Sequence, residues 1–158
     1  MCMFMKLIKW KDSVYKMEFF TFNEIVNKTK IEAPILFGLE HDVVPSEEDI
    51  LKFEGQHNIQ LTEKYKQFLL KDGGGFFGYA NLYSLDKGSS FYLLHYNDIP
   101  LTNILRIADN GCGDYYVLKI VERKCQDTIL FFEHDTRLLR STKFSDIFEY
   151  LVSAGLKG

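Results

Sequence analysis

A run of glycines in the middle of the sequence is the first feature whose residue types could do chemistry. It reads Asp72-Gly-Gly-Gly-Phe-Phe-Gly78, and glycine backbones can direct several amide groups at one anion. A phosphate-binding loop, however, joins a strand to the start of a helix and ends in Lys followed by Ser or Thr. This run follows a helical pattern and contains neither residue type, so we interpret it as the stop of a helix.

The segment from Asp109 to Asp114 combines carboxylates with glycine, as calcium-binding loops do. An EF-hand loop needs glycine at its sixth position and a bidentate Glu at its twelfth, where this sequence has Asp114 and Ile120. Asn110-Gly111 within the segment is instead typical of a tight hairpin turn, because both residue types tolerate positive φ. We therefore predict a hairpin between two antiparallel strands.

Cys112 and His134 could be drawn as a nucleophile and its base, with Asp127 or Asp135 as the orienting carboxylate. A catalytic thiol needs its pKa lowered by a helix N-terminus or a fixed cation, and the sequence places neither beside Cys112. The four histidines are scattered along the sequence and lack the paired spacing of metal ligands; they are His41, His57, His95 and His134. We predict no catalytic residue, no metal site and no cofactor.

Length, composition and charge limit the class of protein. A chain of 158 residues with 46% apolar and 15% aromatic residues is typical of one globular, sheet-containing domain. A net charge of −3 argues against general nucleic-acid binding. Cys2, Cys112 and Cys125 have no CxxC spacing, which disfavours a disulfide framework and a zinc site. The apolar opening is too short to span a membrane, so we expect a cytoplasmic protein.

Four segments have helical patterns. Ser46 is a good N-cap for an acidic helix that Gly55 can end, and Thr62 is a good N-cap for the helix that follows. The closing helix carries an apolar stripe at i, i+3, i+4 and i+7, beginning with Phe144. The predicted helices are 23–30, 47–54, 62–71 and 144–154.

The remaining segments have strand patterns, most of them between the glycine run and the closing helix. Imperfect alternation near the start also indicates strands within 3–10 and 13–22. The later predicted strands are 79–85, 91–96, 104–108, 115–121 and 128–132. We predict an α+β domain with a central antiparallel sheet and helices packed on one face. We expect the main part of the domain to be 31–158. Residues 1–30 are predicted to be an N-terminal extension of the same domain, containing a strand and a short helix.

In chain order these features resemble the SUKH superfamily, which includes yeast cell-wall regulators of the SMI/KNR type and many bacterial immunity proteins. The most specific part is 107–118, where a strand, a glycine turn, Gly113-Asp114 and a second strand follow one another. One departure is Thr62, where the family usually has proline, although threonine also starts helices. The stretches that carry the resemblance are 46–54, 61–70, 73–75, 107–118, 128–135 and 144–151.

The resemblance implies a SUKH fold and a non-enzymatic immunity protein that neutralises a cognate polymorphic bacterial toxin. Such toxins are often nucleases with basic clefts, onto which an acidic inhibitor is steered quickly. We expect a monomer or weak homodimer that binds a protein, and neither nucleic acid nor a membrane. Two alternatives stay open: an intracellular regulatory or scaffold module of the same fold, and a hydrolase centred on Asp109, Asp114 and His134.

Two groups of residues, one acidic and one aromatic, are candidates for the contact with the partner. The acidic residues could face a basic cleft, although helix capping also explains part of their charge. The aromatic residues could anchor an interface, although filling of the core explains them equally well. The candidates are Glu40, Asp42, Glu47, Glu48, Phe76, Phe77, Tyr79, Tyr96, Asp109 and Asp114.

Overall fold

A computed structural model of the chain describes residues 17–158, and its first element is a 14-residue helix, α1 (Phe19–Glu32). The strand predicted within 3–10 lies outside the described residues. The strand predicted within 13–22 is wrong over 19–22, which are helical, because Phe22 and Val26 bury one face at helical spacing. A 3-10 turn, Pro34–Phe37, follows the helix. The division between 1–30 and 31–158 stays a prediction.

Two capped helices follow, α2 (Glu47–His57) and α3 (Glu63–Asp72). The Asp49 amide donates to Ser46 Oγ at 3.1 Å, and the Ser46 amide donates to the Asp49 carboxylate at 2.9 Å. This reciprocal capping box confirms the predicted start of α2. The helix continues past Gly55, however, and ends at Asn58, whose φ of 53° provides the left-handed stop.

The glycine run ends α3, as predicted. Gly73 has a φ of +80° at the helix C-cap, and a Cβ at this position would collide with the backbone carbonyl of Asp42. The run therefore lets the chain before α2 pack directly on the end of α3. It leads into a two-stranded antiparallel sheet, β1 (Gly75–Phe77) and β2 (Ala80–Leu82).

The main sheet is antiparallel and has its strands in chain order, β3-β4-β5-β6. The Tyr83 amide donates to the Ile107 carbonyl at 2.7 Å, which joins the end of β2 to the free edge of β3. The predicted strand 79–85 is therefore reduced to the three residues of β2. The strands are β3 (Ile104–Asp109), β4 (Tyr115–Val121), β5 (Lys124–Phe132) and β6 (Leu139–Ser141).

The strand predicted for 91–96 is wrong, because this segment forms a 3-10 helix, Leu93–His95, followed by a short helix, α4 (Ile99–Thr102). The amide of His95 donates to the carbonyl of Tyr92 at 3.0 Å, so the backbone forms its hydrogen bonds within local turns rather than with a neighbouring strand. A single buried residue, Leu93, takes the place of an alternating strand face.

The closing helix α5 (Ile147–Tyr150) continues as a π-helical segment, Leu151–Leu156, and begins three residues later than predicted. Its Phe148 ring stacks on Phe22 of α1 with the centroids 4.5 Å apart. Tyr150 meets Tyr116 of β4 at 4.6 Å, so the helices cover one face of the main sheet. The protein is an α+β domain, as predicted.

Candidate partner-binding site

The sheet face opposite the packed helices presents one row of side chains that crosses both sheets. Strand register pairs Asp109 with Tyr115, and Tyr115 in turn with Phe132. Asn81 of β2 joins the row because its amide donates to the Asp109 carboxylate at 3.4 Å. Directly paired residues share a sheet face, and all six side chains are exposed or half-buried. This sheet-face row consists of Phe76, Asn81, Asp109, Tyr115, Phe132 and Leu139.

Arg106 of β3 lies beside the sheet-face row. Its guanidinium carbon is 5.0 Å from the ring centroids of both Tyr115 and Phe132, within cation–π range. Its Nη1 donates to the Tyr96 carbonyl at 3.2 Å, and the Tyr96 ring stacks on Tyr83 at 4.4 Å. Sequence reasoning missed Arg106. The signal was an arginine within the otherwise apolar stretch 104–108.

Asp109 and Asp114 hold the turn between β3 and β4. Asp109 accepts from the Tyr83 hydroxyl at 2.7 Å and from the Gly111 amide at 2.9 Å, while Asp114 accepts from the His134 backbone amide at 2.9 Å. Burial and then the hydrogen bond to Asp109 raise the pKa of Tyr83. The strands pair up to Asp109 and Tyr115, so the turn spans five residues, 110–114, rather than two.

The hydrolase interpretation gains no support from this geometry. His134 contacts Asp114 through its backbone amide rather than its imidazole, and Cys112 is exposed on the turn. Within residues 17–158, Cys112 and His134 form no hydrogen bond with each other, and no group of three His, Cys, Asp or Glu side chains is arranged to hold a metal ion. Burial raises the pKa of the other described thiol, Cys125, to about 12, which keeps it protonated.

A second surface, formed at the start of α2 and in the loop before it, is acidic. The sequence predicted Glu40, Glu47 and Glu48 for partner contact, and all three side chains are exposed. Asp49 is exposed as well, and its hydrogen bonds with Ser46 lower its pKa, which keeps it charged. We call Glu40, Glu47, Glu48 and Asp49 the acidic surface.

Exposed apolar side chains accompany the acidic surface. Leu39, Val43 and Leu51 are 62%, 68% and 67% exposed. The Val43 amide donates to the Asp86 carboxylate at 3.0 Å, which fixes the loop beside the segment 84–92. A groove of about 340 Å³ lies between this loop, α2 and residues 85–87. The surface therefore combines negative charge with apolar area.

Two predicted contact residues have internal contacts, and one of them, Phe77, is buried. Phe77 is only 3% exposed and packs on Phe22 and Phe68, so the prediction that it contacts a partner is corrected: it is a core residue. Asp42 is half-buried, and its carboxylate accepts from the buried Ser84 hydroxyl at 2.6 Å. The Asp42 amide donates to the Gly74 carbonyl at 2.8 Å, so Asp42 also holds the loop against the glycine run.

The other predicted aromatic residues are accessible. Tyr79 is 68% exposed, Phe76 lies edge-on to Phe91 with the centroids 4.9 Å apart, and Tyr96 is half-buried beside Arg106. The two accessible surfaces, one acidic and one aromatic, are therefore the candidates for partner contact.

None of the helices in the described chain is long and apolar enough to cross a lipid bilayer.

Comparisons with known proteins place the chain in a family. A 77-residue stretch is 35% identical to the ribosome maturation factor RimM of Streptococcus suis (strain 05ZYH33), covering 45% of this chain and 42% of that protein. The chain thus spans less than half of that relative's length. A crystal structure of a protein from Pseudomonas syringae pv. tomato has the same fold, with a TM-score of 0.63, 18% identity, and coverage of 86% of this chain and 99% of that one. Residues 44–150 match the model of the SMI1 / KNR4 family (SUKH-1), and the chain belongs to this family.

Proposed function

We propose that this protein is a non-enzymatic immunity protein that binds a polymorphic bacterial toxin and blocks it. Membership of a family that includes toxin-immunity proteins supports the proposal. The observation that carries it is the acidic surface, where Glu40, Glu47, Glu48 and Asp49 project from one helix start and its preceding loop. The partner class that this surface fits best is a nuclease, whose substrate cleft is basic.

Charge and apolar area have separate roles in the proposed complex. The negative potential of the acidic surface accelerates encounter with a basic cleft. Lys52, whose ammonium lies 3.4 Å from Glu48 on the exposed side of α2, offsets one of the four carboxylates of the acidic surface. Once the surfaces meet, burial of Leu39, Val43 and Leu51 contributes roughly 25 cal/mol for each Å² of apolar area removed from water.

The experiment that tests the proposal is co-expression with the toxin domain encoded beside the gene. Growth should resume when both proteins are induced, and the two should purify together from the rescued cells. An active toxin that still kills the cells and forms no complex would contradict immunity. A regulatory protein-binding module of the same fold would then be the remaining function.

Charge reversal tests the acidic surface itself. We expect the double variant Glu47→Lys, Glu48→Lys to reduce the association rate by about tenfold at low salt, with a smaller effect at high salt. The matched control is Glu24→Lys on α1, which reverses an exposed charge outside the acidic surface. Because reversal at a helix start also weakens the helix by about 0.3–1 kcal/mol per charge, thermal melting must accompany the rate measurement.

A further inference from the structure

The guanidinium of Arg106 is held in place but forms no ion pair with any residue that the structure describes. One N–H group donates to the Tyr96 carbonyl at 3.2 Å, and the Tyr115 and Phe132 rings lie 5.0 Å from its carbon. A guanidinium carries five N–H donors. Within residues 17–158, its other donors have no acceptor. By contrast, Arg140 is paired with Glu133 at 2.6 Å.

The backbone of Arg106 is fixed as firmly as its side chain. The Asn97 side chain accepts from the Arg106 amide at 2.7 Å and donates to its carbonyl at 2.9 Å. These two bonds replace a neighbouring strand at the free edge of β3. Because Arg106 is already held in place, binding its guanidinium costs less side-chain entropy than binding a mobile surface arginine would.

Two acidic residues, Asp109 in the sheet-face row and Asp114 next to Tyr115, have partners of their own. Asp109 accepts from the Tyr83 hydroxyl and the Gly111 amide, and Asp114 accepts from the Asn110 side chain at 3.1 Å and from the His134 amide. Neither carboxylate pairs with Arg106. Arg106 is half-buried rather than buried, so its remaining donors can be reached by a carboxylate from outside the described chain.

We propose that Arg106, with Tyr96, Tyr115 and Phe132, forms a second contact surface that binds a partner-protein segment carrying a carboxylate next to an apolar side chain. The guanidinium can donate two parallel hydrogen bonds to one carboxylate, and the surrounding rings bury the apolar neighbour. Arginine and tyrosine held in fixed positions are typical of binding hot spots. The inference rests on the proposed function only in taking the partner to be a protein.

The test is a selection of peptides from a random 12-residue phage library on the full-length protein, with counter-selection on Arg106→Gln. Counter-selection removes peptides that bind elsewhere, including basic ones on the acidic surface. We expect the survivors to carry Asp or Glu beside an apolar residue. If Arg106→Gln melts well below the wild type, Arg106→Lys takes its place, since lysine keeps the charge but lacks the fork.

Fluorescence polarisation then measures the dissociation constants of an enriched peptide and of a control peptide in which Asn or Gln replaces the acidic residues. Removing the carboxylate or the guanidinium should weaken binding by at least about tenfold, equivalent to about 1.4 kcal/mol. The inference would be overturned if the selected peptides lacked carboxylates, if they bound the wild type and the Arg106 variant equally, or if no peptide were selected. No toxin is present, so this result is independent of the growth-rescue experiment.

Discussion

At the scale of single residues, the ion pair between Lys64 and Asp146 joins α3 to α5. Asp146 is 0% exposed, and its carboxylate accepts from Lys64 Nζ at 2.7 Å and from the Glu149 amide at 3.0 Å. The Lys64 ammonium also lies 5.6 Å from the centre of the Phe148 ring. One buried carboxylate therefore caps a helix and neutralises the cation beside it.

We expect Asp146→Ala to lower the free energy of unfolding by roughly 3–5 kcal/mol, because it removes the cap and leaves a largely buried ammonium without its partner. Asp146→Asn keeps an oxygen that can cap the helix, so its loss should be smaller. Urea unfolding of the two variants measures the difference. Equal and small losses, below about 0.5 kcal/mol, would contradict this role.

A second residue-scale prediction concerns Asp72, the last residue of α3. Burial raises its pKa, and nearby Lys30 and Lys71 only partly oppose this effect. The folded state therefore holds the proton more tightly, so Asp72 lowers stability as the pH rises above the usual carboxyl value of 3.8. The negative end of the helix dipole acts in the same direction.

We expect Asp72→Asn to raise the free energy of unfolding at pH 7 by about 0.3–1 kcal/mol. The gain should shrink towards zero as the pH falls to 3.8, where the wild-type carboxyl is increasingly neutral in both states. Glu24→Gln, at an exposed position, is the matched control. A destabilised Asp72→Asn, or a gain that does not change with pH, would refute the assignment.

At the scale of elements, the sequence was most informative where a local signal defines structure. The Ser46 and Thr62 caps and the Gly73 stop were predicted correctly, because each acts through bonds within a few residues. The segment 91–96 was predicted wrongly, because an apolar run is compatible with a strand or a turn until its tertiary partners are known. Similarly, α1 was predicted too short, since its burial depends on contact with α5.

The helix faces yield a stability prediction. Phe68 of α3 and Phe148 of α5 are both fully buried, and both rings contact Phe22 of α1. Either substitution to Ala should cost roughly 3–5 kcal/mol, because each leaves a cavity in the shared aromatic core. Phe20→Ala, at a side chain 73% exposed, should cost under about 0.5 kcal/mol. Equal melting temperatures for the three variants would contradict these helix faces.

At the scale of the whole molecule, only part of the candidate site could be predicted from the sequence. Exposure of Glu47 and Glu48 follows from their positions at a helix start, which local capping specifies. The burial of Phe77 and the availability of Arg106 depend on strand register and on loops from distant parts of the chain. No local pattern contains that information.

We propose that the acidic surface binds and blocks a toxin. Calorimetric titration of the purified protein with the purified toxin domain encoded beside its gene is the most direct test of this proposal. We predict a saturable 1:1 complex that abolishes toxin activity, weakens as salt is added, and is weaker still for the Glu47→Lys, Glu48→Lys variant. An active toxin domain that gives no binding heat and keeps its activity would contradict the claim.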